Sequence, residues 1–151
     1  MEVNRNAPVV VTEDVTISAP PTVVWHVLAD IDGWATWQPD IATAALEGPL
    51  AVGTTFRWAT GGLEITSTIG EVDTGRRIAW SGVSQGIEGI HVWTVEPTDA
   101  DATVTRVCTV ESWDGEPVRR DPAALHAALE NSLRCWLGHL RTAAEGFIPI
   151  G

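Results

Sequence analysis

Apolar residues in this chain keep two different periods, and the point where one gives way to the other constrains the fold more than any other feature. From Thr54 to Trp113 they recur at every second position in short runs, and from Pro122 to Ala144 at every third or fourth. A period of two is that of a pleated strand with one buried face, and a period near 3.6 is that of a helix with one buried stripe. The helical stretch, about 23 residues, is about 35 Å long at 1.5 Å per residue, enough to cross a whole sheet. Short strands followed by one long helix predict an α+β domain in which an antiparallel sheet and that helix share a core.

Individual elements can be placed from local signals. Val9 to Ser18 (VVVTEDVTIS) is rich in β-branched residues and reads as the first strand. Ala19-Pro20-Pro21 ends it, because a residue before proline is pushed out of the helical region and Pro21 suits a first helical position. A short helix follows with Val24, Leu28 and Ile31 on one stripe and Trp25 beside them, ended by Asp32-Gly33. Trp34 to Pro39 reads as one or two further helical turns, with Trp25, Trp34 and Trp37 as helix-packing residues. Six more strands are expected in Ile41–Glu47, TTFRWAT, LEITSTIGEV, RRIAWSGV, Glu88–Glu96 and TVTRVCTVESW. Gly61-Gly62 joins two of these runs, and glycine takes the positive φ angles of a hairpin turn without steric cost. On the last helix Leu125, Leu129, Leu133, Trp136, Leu137 and Leu140 share a face, with Asp121 as N-cap and Gly146 as C-cap.

Composition narrows the function classes. The 151 residues suit a single domain, 1–151, with its core at about 9–145. A formal charge of −11 repels nucleic-acid phosphates and anionic membranes, and no basic stripe, zinc-type Cys/His spacing or phosphate-binding glycine loop is present in the sequence. No apolar run reaches the roughly 18 residues of a membrane span, and the opening MEVNRNAPVV lacks the order of a signal peptide, so a cytoplasmic location is expected. Cys108 and Cys135 are expected as buried, reduced thiols. His126 and His139 stand 13 positions apart on one helix, too far for a shared metal site, and read as surface or boundary residues. No metal or cofactor is implied.

The order strand, two short helices, six strands, long helix resembles the helix-grip fold, a curved seven-stranded antiparallel sheet wrapped around a long C-terminal helix. Specific segments carry the resemblance further. ISAPPTVVWHVLADIDGWATWQPDI, VGTTFRW, EITSTIGEVDTGRRIAWSG and GIHVWTVEP are similar to segments of the START-like (SRPBCC) superfamily, in its bacterial polyketide cyclase/dehydrase branch, over about residues 9 to 145. The resemblance implies an internal cavity for an apolar or aromatic small molecule, in a monomer or homodimer. The motifs are packing and turn signals rather than a catalytic fingerprint, so the cavity is implied more strongly than any reaction.

With a cavity expected, alternation assigns its candidate walls. His91 shares a strand face with Trp93 and Val95, and if that face is concave the imidazole is a general acid or base in the cavity; otherwise it is a strand histidine bonded to a neighbour. Glu111 falls in the set Thr105, Val107, Thr109, Glu111 and Trp113, and is either a second acid–base group or a solvated carboxylate. Arg57 and Arg106 either anchor a ligand carboxylate or lie on the convex face. Phe56, Trp58, Thr60, Ile65, Ser67, Ile69, Ile78, Trp80 and Trp93 are expected around the ligand, and Leu129, Leu133, Trp136 and Leu137, with Ser132 as a polar contact, as its lid. Three functions fit: a cyclase or dehydratase using His91 and Glu111, a non-catalytic carrier or sensor of a hydrophobic metabolite, and a partner-regulating domain whose Ser84–Glu88 loop responds to ligand.

Overall fold

In the computed structural model, which describes residues 1–147, the strand-like segments form one sheet of seven antiparallel strands. They are β1 (Val9–Ile17), β2 (Ile41–Leu46), β3 (Thr55–Thr60), β4 (Leu63–Asp73), β5 (Arg77–Ser84), β6 (Ile87–Pro97) and β7 (Thr105–Asp114). The spatial order is β1-β7-β6-β5-β4-β3-β2, so strands two to seven form a meander and β1 closes its far side. The helices α1 (Pro21–Ala29) and α2 (Trp34–Trp37), joined by a 3₁₀ turn at Ile31–Gly33, carry the chain from β1 at one edge to β2 at the other. A short α3 (Glu116–Arg120) precedes the long α4 (Pro122–Glu145). The α+β helix-grip architecture is therefore present. Residues 148–151, included in the expected domain, lie outside the described residues.

Local chemistry accounts for the boundaries. Asp121 caps α4, its carboxylate accepting from the Ala124 N–H, and Gly146 closes the helix. Gly61 and Gly62 have φ of 57° and 78°, the left-handed pair required by a tight hairpin turn. Gln85 and Gly86 repeat this device between β5 and β6, at φ 52° and 77°. The segment Ser84 to Glu88 is thus a two-residue hairpin turn rather than a loop with slack.

The concave face of the sheet meets α1, α2 and α4. Its core includes Ile17, Val24, Leu28, Ile31, Trp34 and Phe56, with Trp93, Trp136 and Leu140 among the residues packed beside them. A second cluster, Val9, Val11, Val118, Leu129 and Leu133, seats the first half of α4 over β1. On the convex face the amino-terminal segment lays Val3 against Ala79 and Val92. Arg134 donates to Glu13, and the Ser18 N–H donates to Glu145, fastening the middle and the end of α4 to β1 and the residue that follows it.

The expected burial of both cysteines is overturned. Cys135 is exposed and Cys108 is half-buried, and the two thiols are unbonded. Cys135 adjoins Trp136 in sequence, but a step of one residue turns the helix by about 100° and takes its side chain off the core stripe. Cys108 belongs to the outward set of β7, where burial still pushes its thiol pKa up.

Candidate active site

The register of the sheet brings His91 and Glu111 together. They are directly paired across β6 and β7, and their side chains point to the concave face. Nδ1 of His91 lies 2.6 Å from Oε1 of Glu111, and Nε2 lies 2.6 Å from the Thr109 hydroxyl. The Nδ1 contact is out of line with the ring N–H direction, so it is a close polar contact rather than an aligned hydrogen bond. The direction of the hydrogen bond between Nε2 and the Thr109 hydroxyl follows from the tautomer of the ring.

Aromatic rings enclose this imidazole. Trp80, Trp93 and Trp136 have ring centroids 5.1, 5.0 and 5.6 Å from it. Trp34, expected as a helix-packing residue, is the hub of the group: fully buried, it touches Phe56, Trp58, Trp80 and Trp136, and its N–H donates to the Leu28 carbonyl. Nothing in alternation could have shown this, because Trp34 reaches the sheet from a separate helix. The buried N–H groups of Trp93 and Trp136 have no acceptor among the described residues.

Much of the concave space is filled by these rings. What remains is a cleft of about 130 Å³ at the strand ends beside the β5–β6 turn, with Trp58, Ile65, Ser67, Trp80, Ile87 and Glu111 among its walls and His91 at its inner end. A smaller space of about 60 Å³ lies on the other side of Trp58, toward α4, bordered by Gln38, Thr60, Ser132, Leu133 and Trp136, and again by Glu111. Glu111, with 14% of its side chain exposed against 3% for His91, is the accessible member of the pair and borders both spaces. The Trp58 N–H donates to the Ser67 hydroxyl, which fixes the ring that separates them.

Expected site residues divide accordingly. Trp58, Ser67, Trp80, His91 and Glu111 border the cleft, and Ser132, Leu133 and Trp136 border the smaller space. Phe56, Ile69 and Trp93 are sealed in the core behind, and Leu129 packs against Val9 and Val11, so these four border neither space. Arg57 and Arg106 point outward and pair with Glu47 and Asp14. Sequence reasoning missed Thr109, Gln38 and the glycines Gly82 and Gly89; both glycines sit in the inward alternation of their strands, a signal that was available. Among the described residues no three His, Cys, Asp or Glu side chains converge to hold a metal, and no helix is long and apolar enough to cross a membrane.

With this geometry in place, comparison with known proteins gives a consistent result. A family model described as polyketide cyclase / dehydrase and lipid transport matches residues 8–145. A hypothetical protein from Helicobacter pylori superposes with a TM-score of 0.81 at 21% identity, over 94% of this chain and 91% of that one. The Zhui aromatase/cyclase from Streptomyces sp. R1128 gives 0.78 at 21% identity, over 90% and 93%. A START superfamily protein from Mycobacterium smegmatis gives 0.79 at 12% identity, over 90% and 97%. At these identities the structures establish a shared fold. No curated protein matches the chain in sequence.

Proposed function

The chain belongs to the polyketide cyclase/dehydrase and lipid transport family, and from that premise we propose that it catalyses proton transfer on a small carbonyl compound, of the kind that cyclisation and dehydration require. The observation that carries this reading is the 2.6 Å approach of His91 to Glu111 at the inner end of an otherwise apolar cleft. Both reactions need a base that removes a proton beside a carbonyl and an acid that returns one to a departing or newly formed oxygen. Glu111 borders the space where the ligand sits and takes the proton. His91, 2.6 Å away on the neighbouring strand, holds that carboxyl in place. The proton now on Glu111 is then delivered to the hydroxyl that leaves as water.

Cleft size supports an enzyme over a carrier of long lipids. Pockets that enclose a drug-sized ligand measure roughly 300–1,000 Å³, whereas this one measures about 130 Å³. It accommodates one ring or a short segment of a longer molecule, with the remainder outside the domain. Trp58 and Trp80 offer aromatic walls to such a ring, and holding a flexible chain there brings its reacting carbons together.

The test is intrinsic Trp fluorescence during titration with short β-polyketone thioester mimics, with product formation followed by absorbance. Turnover is expected to fall by about 10²-fold or more in Glu111→Gln and in His91→Ala while the binding curve moves little. Saturable binding with no turnover by the unaltered protein would instead establish a carrier or sensor.

A further inference from the structure

The two spaces beside Glu111 differ in character. The cleft is walled mainly by Trp58, Leu63, Ile65, Trp80 and Ile87. The space between Trp58 and α4 is edged instead by the polar side chains of Gln38, Asp40, Thr60 and Ser132. Asp40 and Ser132 are exposed, so this polar space begins at the surface, and the largely buried Glu111 stands on its border as well. One carboxyl is thus reached from an apolar side and from a polar side, with Trp58 as the partition.

The groups around the polar space suit water. Gln38 is only 2% exposed, and its Oε1 accepts from the Asp40 N–H at 3.1 Å, which fixes the oxygen end of the amide and leaves the NH₂ as a donor. The Thr60 hydroxyl donates to the Asp40 carbonyl at 2.8 Å, leaving its oxygen to accept. The Ser132 hydroxyl can do either, and Glu111 accepts when ionised and donates when protonated. A water needs about 10–15 Å³ and two to four polar partners. A space of about 60 Å³ with these edges meets both conditions for roughly two to four waters. An independent feature points the same way. Trp136 borders this space, and its buried N–H has no acceptor among the described residues; a water at the inner end supplies one. Trp93, the other indole with an unpaired N–H, borders neither space.

We propose that the space between Trp58 and α4 is a water port, through which Glu111 exchanges its proton with solvent while the cleft holds its ligand. The relay role rests on the proton-transfer reading given above; the water site does not. In the relay the O–H bond of protonated Glu111 breaks as its proton passes to the adjoining water, and that water hands one of its own protons outward along the chain. The reverse sequence reprotonates Glu111 from solvent. Gln38 acts here as a positioning residue that holds the inner water, and Ser132 stands at the mouth.

Two measurements test the port. In the first, protein labelled with ¹⁵N-tryptophan is examined by NMR for cross-peaks between indole N–H protons and water. The Trp136 indole is expected to show one, the Trp93 and Trp34 indoles none, and Ser132→Leu, which plugs the mouth from an exposed helical position, to lose it with an unchanged thermal midpoint. No cross-peak at Trp136 in the unaltered protein, or one that persists in Ser132→Leu, would overturn the port. The second follows 3-cyclohexenone in D₂O as a base moves hydrogen from C2 to C4 to give 2-cyclohexenone, and reads the isotope at C4. The unaltered protein is expected to place mainly deuterium there, and Ser132→Leu to return the original protium in a severalfold larger share, a ratio that does not depend on how fast either protein turns over. An equal protium share in both would overturn the relay. No conversion by the unaltered protein, beside a Trp136 cross-peak lost in Ser132→Leu, would overturn the proton-transfer reading and the relay with it while supporting the water site.

Discussion

At the scale of single residues, Trp34 and His91 show how much one side chain can organise here. Trp34 presents ring contacts on several sides and spends its only polar group on the Leu28 carbonyl, so the indole is buried without an unpaired donor. Trp34→Ala is expected to destabilise the protein by about 3–5 kcal/mol, measured by urea denaturation, because four neighbouring rings lose their common partner. A loss below about 1 kcal/mol would mean that the cluster closes over the gap. His91 was legible in the sequence as an inward residue once Trp93 was placed inward, since they stand two positions apart on one face of β6. Its contact with Glu111 was not, because the pairing of β6 with β7 is a matter of register, and both faces of β7 carry polar residues.

At the scale of elements, most of the architecture was legible because each boundary had its own chemistry: prolines before α1, paired glycines at the β3–β4 turn, and an aspartate cap on α4. The short α3 was missed, since five residues opening on Glu116-Pro117 cannot show a helical period. The way α4 is fastened was also hidden, as it depends on long-range partners. Glu145 accepts from the backbone N–H of Ser18 at the end of β1, and that bond, with Arg141 nearby, holds its carboxyl below the ordinary value of 4.5. A carboxyl lowered in the folded state stabilises the fold above the unfolded value, and the contribution is lost as pH falls through the folded value. Glu145→Gln is therefore expected to lower the urea midpoint at neutral pH, with the difference shrinking as pH falls below 4.5. Equal midpoints at neutral pH would show that the contact contributes nothing to stability.

At the scale of the whole molecule, the sheet and α4 form a grip whose interior is largely occupied by its own tryptophans. The abundance of Trp, eight residues beside two Phe and no Tyr, was visible from composition. Whether those rings line a cavity or fill it was decided by packing between elements far apart in sequence, and they do both: Trp34 and Trp93 fill, while Trp58 and Trp80 line what is left. The result is a small apolar cleft at the strand ends with a carboxylate–imidazole pair at its inner end.

The most direct measurement of whether that pair moves protons needs no knowledge of the natural substrate. A bicyclic ketone such as 2-tetralone, incubated with the protein in D₂O and followed by proton NMR, exchanges hydrogen for deuterium beside its carbonyl whenever a base removes the proton and returns a deuteron. The unaltered protein is expected to accelerate this exchange over buffer, with the acceleration reduced by about 10²-fold in Glu111→Gln. Exchange at the buffer rate, or equal acceleration by Glu111→Gln, would contradict proton transfer by Glu111.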